Sequence, residues 1–113
     1  MKLTIAFDVD DTLIIPSVVT RSVDIPNYET IEVYRWFQAQ GNHMIVWSGS
    51  GVDWAHSWSE KLGLNPDEIR MKGEGHVDIA FDDCDVKLAT VNVKVGRVAN
   101  NISREIWNKT KQK

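Results

Sequence analysis

Three short apolar-rich runs, residues 3–7, 43–47 and 77–81, each stop abruptly on polar residues. Runs of this length that do not alternate with polar residues fit strands buried on both faces. Helical spacing fills the intervals between them. Such alternation predicts an α/β protein: a three-layer αβα Rossmann-like sandwich with a small, mostly parallel sheet. At 113 residues the chain is expected to form one domain over 1–113, enough for a core but too short for two.

The remaining elements follow from local signals. Residues 13–26 include β-branched side chains, Pro16 and Pro26, with no helical period, and read as an excursion or small hairpin over the end of the first strand. Asn27 is placed to cap a helix through Ile31, Tyr34 and Phe37, with Val33 and Trp36 widening its apolar face and Gly41 closing it. Ser48-Gly49-Ser50-Gly51 forms the turn out of the second strand. Trp54 or Ala55, Trp58 and Leu62 recur at helical spacing before Gly63. Asn65-Pro66-Asp67 reads as a short turn or helix start and residues 69–71 as a minor strand. Residues 86–95 alternate enough for one or two further strands, and Ile102 with Ile106 marks a C-terminal helix before a basic tail.

Composition narrows the function. Hydrophobic residues make up 42% and charged residues 26%, and the formal net charge of -3 disfavours a dedicated electrostatic nucleic-acid binder. A single cysteine, Cys84, excludes an internal disulfide and fits a reducing compartment; beside Asp83 it reads as a small buried filler. No apolar stretch reaches the roughly 20 residues of a membrane span, and no signal-peptide pattern opens the chain, so a cytoplasmic domain is expected. Five tryptophans invite base stacking. Trp36, Trp47 and Trp58 fall on expected core faces, which leaves Trp54, beside the active edge, as the best stacking candidate next to a reading of the same residue as a core or dimer contact. His43 and His56 lack partners at metal-ligand spacing, and His76 is a minor candidate for substrate contact.

Polar groups collect at the three strand ends: Asp8, Asp10 and Thr12; Ser48 and Gly49; Asp82 and Asp83. In a parallel sheet all three open on one edge, where α/β proteins place their chemistry. Crowded carboxylates favour protonation unless a cation or hydrogen bonds compensate. Carboxylates converging on one edge suit Mg²⁺, and a hydroxyl with glycine-flanked amides suits phosphoryl oxygens. Metal-dependent phosphoryl chemistry with an aspartate nucleophile is the expected activity.

In these residues the chain resembles the haloacid dehalogenase (HAD) superfamily of phosphotransferases. The family's first motif, Asp-x-Asp-x-Thr after an apolar strand, corresponds to Asp8-Val9-Asp10-Asp11-Thr12. The second corresponds to Met44-Ile45-Val46-Trp47-Ser48 and the fourth to Ile79-Ala80-Phe81-Asp82-Asp83. The resemblance implies a phosphatase in which Asp8 is the nucleophile and Asp10 the general acid and base. It further implies that Thr12 braces the loop, Ser48 and Gly49 bind the phosphoryl group, and Mg²⁺ sits on Asp8, the Asp10 carbonyl and Asp82 or Asp83, with Asp83 favoured. The third-motif lysine is assigned to Lys72, shortly before the third run, over Lys61; Gly73 stands where the family usually has proline.

Only 35 residues lie between Thr12 and Ser48, and about 20 between Gly51 and Lys72, too few for the family's cap domains. A capless member implies an open site, with a large substrate or a cover supplied by a second subunit. Loop 13–26 is the local cover, and Arg21 on it is a candidate substrate contact. The implied substrate is a phosphorylated small molecule, a nucleotide or a nucleic-acid end. Two other readings stand beside this one: a phospho-accepting module resembling a receiver domain, and a catalytically weak binding protein on the same scaffold.

Overall fold

The computed structural model describes residues 2–15 and 24–96. Arg21, the middle of loop 13–26, the helix expected around Ile102 and Ile106, and the basic tail lie outside the described residues. Five strands form the main sheet: β1 (Thr4–Asp8), β4 (His43–Ser48), β5 (Glu68–Met71), β6 (Ile79–Asp82) and β7 (Val91–Lys94), in the spatial order β5-β4-β1-β6-β7. Every neighbouring pair is parallel, with Ala6 facing Ile45 on one side and Ala80 on the other. Two-residue strands β2 (Ile14–Ile15) and β3 (Ile25–Pro26), at the two ends of the 13–26 excursion, pair antiparallel. Helix α1 (Tyr28–Ala39) leads into β4, and α2 (Val52–Lys61) leads into β5.

β1 is central and buried on both faces, which is why its sequence is apolar without alternation. Ile5 and Phe7 point into a cluster with Met44, Val46 and Phe81, where Phe7 stacks on Phe81 at 4.3 Å and meets Tyr34 edge-on at 5.2 Å. Both helices close this face, α1 through Ile31 and Tyr34 and α2 through Ala55 and Trp58. On the other face Ala6, Ile45, Trp47 and Ala80 cluster with Val77, joined by Leu88 and Ala89 from the β6–β7 connection. Among the described residues that connection, and no helix, covers the second face.

Three expectations are corrected. Trp36 is 59% exposed rather than buried. At 3.6 residues per turn the inner stripe of α1 runs through Thr30, Ile31 and Tyr34, and Val33 and Trp36 fall outside it. Asn65-Pro66-Asp67 starts no helix: the Asp67 carboxylate accepts a bond from Met44 N–H at 2.8 Å and ties the approach to β5 onto β4. Cys84 is exposed, because the chain leaves the sheet after Asp82 instead of turning inward. The 86–95 stretch yields a single strand, β7, exposed at all four positions as befits a sheet edge.

Asn27 stands at the start of α1 but makes no side-chain cap. Its amide instead donates to Thr12 O at 3.0 Å and Thr30 Oγ1 at 2.8 Å, both buried, and so fastens the loop after β1 to the helix. Replacing Asn27 with Ala removes the donor from that carbonyl. Urea unfolding is expected to register a loss of about 1–3 kcal/mol.

Candidate active site

Carboxylates divide by which end of the sheet they occupy. At the end where strands begin, Asp78 Oδ2 accepts the Thr4 N–H at 2.8 Å, and that bond, helped by His76, holds the Asp78 carboxyl below its usual range. His76 belongs to this end: its Nε2 lies 3.0 Å from Asp78 Oδ1. At the end where strands finish, Asp8, Asp10 and Asp83 are shifted the other way.

After β1 the backbone curls around a single acceptor. Val9 O receives the N–H groups of Thr12, Leu13 and Ile14 at 3.3, 2.9 and 3.0 Å, with Asp11 in the left-handed region at φ 62° that Asp tolerates. This curl holds Asp8 and Asp10 at the sheet edge and buries Thr12 completely. The Thr12 hydroxyl has no hydrogen-bond partner among the described residues, and the Thr12 carbonyl accepts the Asn27 amide.

Asp8, Ser48 and Asp82 end the adjacent strands β1, β4 and β6, and all three are buried. Lys72, which follows β5, reaches across to them. Its Nζ lies 2.7 Å from Asp82 Oδ2, off the ideal hydrogen-bond direction, and 3.7 Å from Asp8 Oδ1. Burial works against the ammonium, but Asp82 and Asp8 outweigh it and leave the lysine pKa above its ordinary value. The Lys72 backbone is anchored by its N–H to Ser48 O at 3.3 Å. Lys61, by contrast, sits at the end of α2 with its ammonium 4.7 Å from the centre of the Trp58 ring. Gly49 is exposed beside Lys72, and a Cβ there would meet Lys72 Cδ at 3.9 Å, an ordinary contact. Ser48 Oγ accepts the Ser50 N–H at 2.9 Å, which fixes the turn out of β4.

Negative charge is in excess at this edge. Burial, then Asp82 and Asp83, push the Asp8 carboxyl up to about 7, although Lys72 pulls against them. Burial also raises Asp10, opposed by bonds from Trp54 and Ser50, and raises Asp83, reinforced by Asp11 and Asp82. One shared ammonium against Asp8, Asp82 and Asp83 leaves a hard cation as the natural complement. A tighter set, Asp82, Asp83 and Cys84, has ligand atoms all within 4.8 Å; its thiol is a soft donor whose pKa the Asp83 charge pushes up. Both Asp82 oxygens are already engaged, by Lys72 and by the Cys84 N–H at 2.8 Å, whereas Asp83 is more open.

One contact has no signal in the sequence and a second has only an indirect one. Trp54 Nε1 donates to Asp10 Oδ1 at 3.3 Å across 44 residues of chain. Arg70 forks onto Glu68 at 2.8 and 3.0 Å and also donates to Glu74 O and His76 O, pinning the loop that follows Lys72. A Cβ on Gly75 would fall 2.7 Å from the Arg70 guanidinium, and this glycine is the local clue to that packing. An open groove of about 420 Å³, lined by His56, Ser59, Glu60 and Ile69 among others, lies beside the start of β5 and includes no site residue. No helix among the described residues is long and apolar enough to cross a membrane. No family model matches the chain, and no curated protein or solved structure matches it.

Proposed function

We propose that this chain is a capless, HAD-type phosphomonoester hydrolase that works through a phosphorylated Asp8. What supports the reading is one juxtaposition: Lys72 within 2.7 Å of Asp82 and 3.7 Å of Asp8, at the edge where Ser48 also ends its strand. The three-layer αβα sandwich is part of the proposal. Ala6, Ile45 and Trp47 are fully buried on the face that α1 and α2 leave, which calls for a covering layer.

In the proposed reaction an Asp8 oxygen attacks phosphorus while the ester P–O bond breaks. Asp10 gives its proton to the departing oxygen, and an alcohol leaves. Asp10 then takes a proton from water as the water oxygen attacks phosphorus. The bond to Asp8 breaks, inorganic phosphate leaves, and both carboxyl groups return to their starting forms. Burial of Asp10 favours its holding the proton needed for the first step. Lys72 and the Ser48-Gly49 turn face the phosphoryl charge. Asp8, the Asp10 carbonyl and Asp83 would hold Mg²⁺, which when bound offsets the carboxylate charge and polarises the phosphoryl oxygens.

The test is release of inorganic phosphate, with and without Mg²⁺, from a panel of alkyl, sugar, nucleotide and oligonucleotide-terminal phosphates. Mg²⁺-dependent turnover that Asp8→Asn abolishes is the expected result. Absence of turnover across the panel, or equal turnover by the variant, would overturn it. Trapping of phosphate on Asp8 separates this reading from a receiver-like module, whose phosphorylated Asp follows the third strand.

A further inference from the structure

The contact between Trp54 and Asp10 has no part in the proposed reaction steps, yet it joins the loop after β1 to helix α2. Trp54 is not a core residue: it is 38% exposed, whereas Ala55 and Trp58 on the same helix carry the packing. Its ring meets Trp58 edge-on at 6.3 Å, and its Nε1 reaches Asp10 Oδ1 at the sheet edge.

An indole N–H donates and never accepts. Of the two oxygens of a protonated carboxyl, the one without the proton is the better acceptor. When Asp10 is in its acid form, an N–H on Oδ1 therefore leaves the proton to Oδ2. We propose that Trp54 is a positioning residue for proton transfer by Asp10: its indole selects which carboxyl oxygen carries the proton and holds that oxygen toward the leaving group. The inference rests on the proposed hydrolase reading and assigns to this chain a determinant of leaving-group range. Esters whose alcohol is a poor leaving group depend on a well-aimed acid, and activated aryl esters do not. Ser50, which also bonds Asp10, can hold the side chain in place but, with a hydroxyl that both donates and accepts, cannot dictate the proton's position.

Trp54→Phe keeps a ring against Trp58 and removes only the donor. Its test compares turnover of the best alkyl phosphate from the panel with turnover of p-nitrophenyl phosphate. For the alkyl ester, kcat is expected to fall about tenfold with KM unchanged, while the aryl ester loses less than about twofold. In an Asp10→Asn background the same substitution is expected to cost nothing further, because the two residues act through one step. Urea unfolding of Trp54→Phe, expected to match wild type, checks that the fold is intact. Equal losses on both esters, or no loss on either, would overturn the inference while leaving the hydrolase reading standing. A wild-type protein that releases phosphate from neither ester takes both readings down together.

Discussion

Asp8→Asn is expected to make the protein inactive and, above neutral pH without Mg²⁺, more stable. Loss of the proposed nucleophile should lower turnover by roughly 10³-fold or more. The stability gain follows from linkage. Burial and the Asp82 and Asp83 charges place the folded Asp8 pKa at about 7, whereas an unfolded chain loses the proton near the ordinary value of about 3.9. Between those values the unfolded chain has released a proton that the native state still holds, so wild-type stability declines as pH rises from about 4 to 7 and then levels. Asparagine carries no charge to bury, and the variant lacks this decline. Near pH 3, where wild-type Asp8 is largely protonated in both states, the two proteins should unfold alike; at pH 8 the variant should lead by an amount on the order of 2–4 kcal/mol. Denaturant titrations at both pH values measure this, and a gap that is constant with pH would refute it. Adding Mg²⁺ should raise the melting temperature of wild type more than that of the variant, since the ion relieves a repulsion that the substitution has already removed.

The same electrostatics explains which parts of the molecule are legible in its sequence. β1, β4 and β6 are readable because they are buried on both faces and cannot tolerate polar interruptions before their ends. The acids that follow are readable because carboxylates at that end of a parallel sheet need a reason. Lys72 is placed by nearness in sequence to β6, and its reach over Gly49 to Asp82 is a fact of the fold. Trp36 misleads because hydrophobicity identifies an apolar stripe without saying which residues lie at its centre. Cys84 misleads because a small residue after a strand gives no sign of the direction the chain takes. Trp54 and Asp10 meet across the loop after β1 and the first turn of α2, and neither segment carries a local pattern that points to the other.

Lys72→Met should be the most destabilising single substitution at the edge, and it should slow turnover as well. The ammonium lies 2.7 Å from Asp82 and 3.7 Å from Asp8, and both carboxylates are buried. Removing one partner of a buried pair leaves an uncompensated charge, a change that costs about 3–5 kcal/mol in comparable settings. Turnover should fall by roughly 10²–10³-fold, because a fixed cation facing the transferring group is lost as well. Three controls separate these effects. Lys72→Arg restores the charge but not the compact ammonium, and is expected to recover stability more fully than turnover. The stability cost of Lys72→Met should shrink at pH 4, where Asp8 holds its proton and the lysine has less charge to balance. In an Asp8→Asn background it should shrink again, since only Asp82 then loses its partner. If the destabilisation is the same in all three settings, Lys72 acts through packing of its alkyl stem against Gly49, and the charge balance proposed for this edge is wrong.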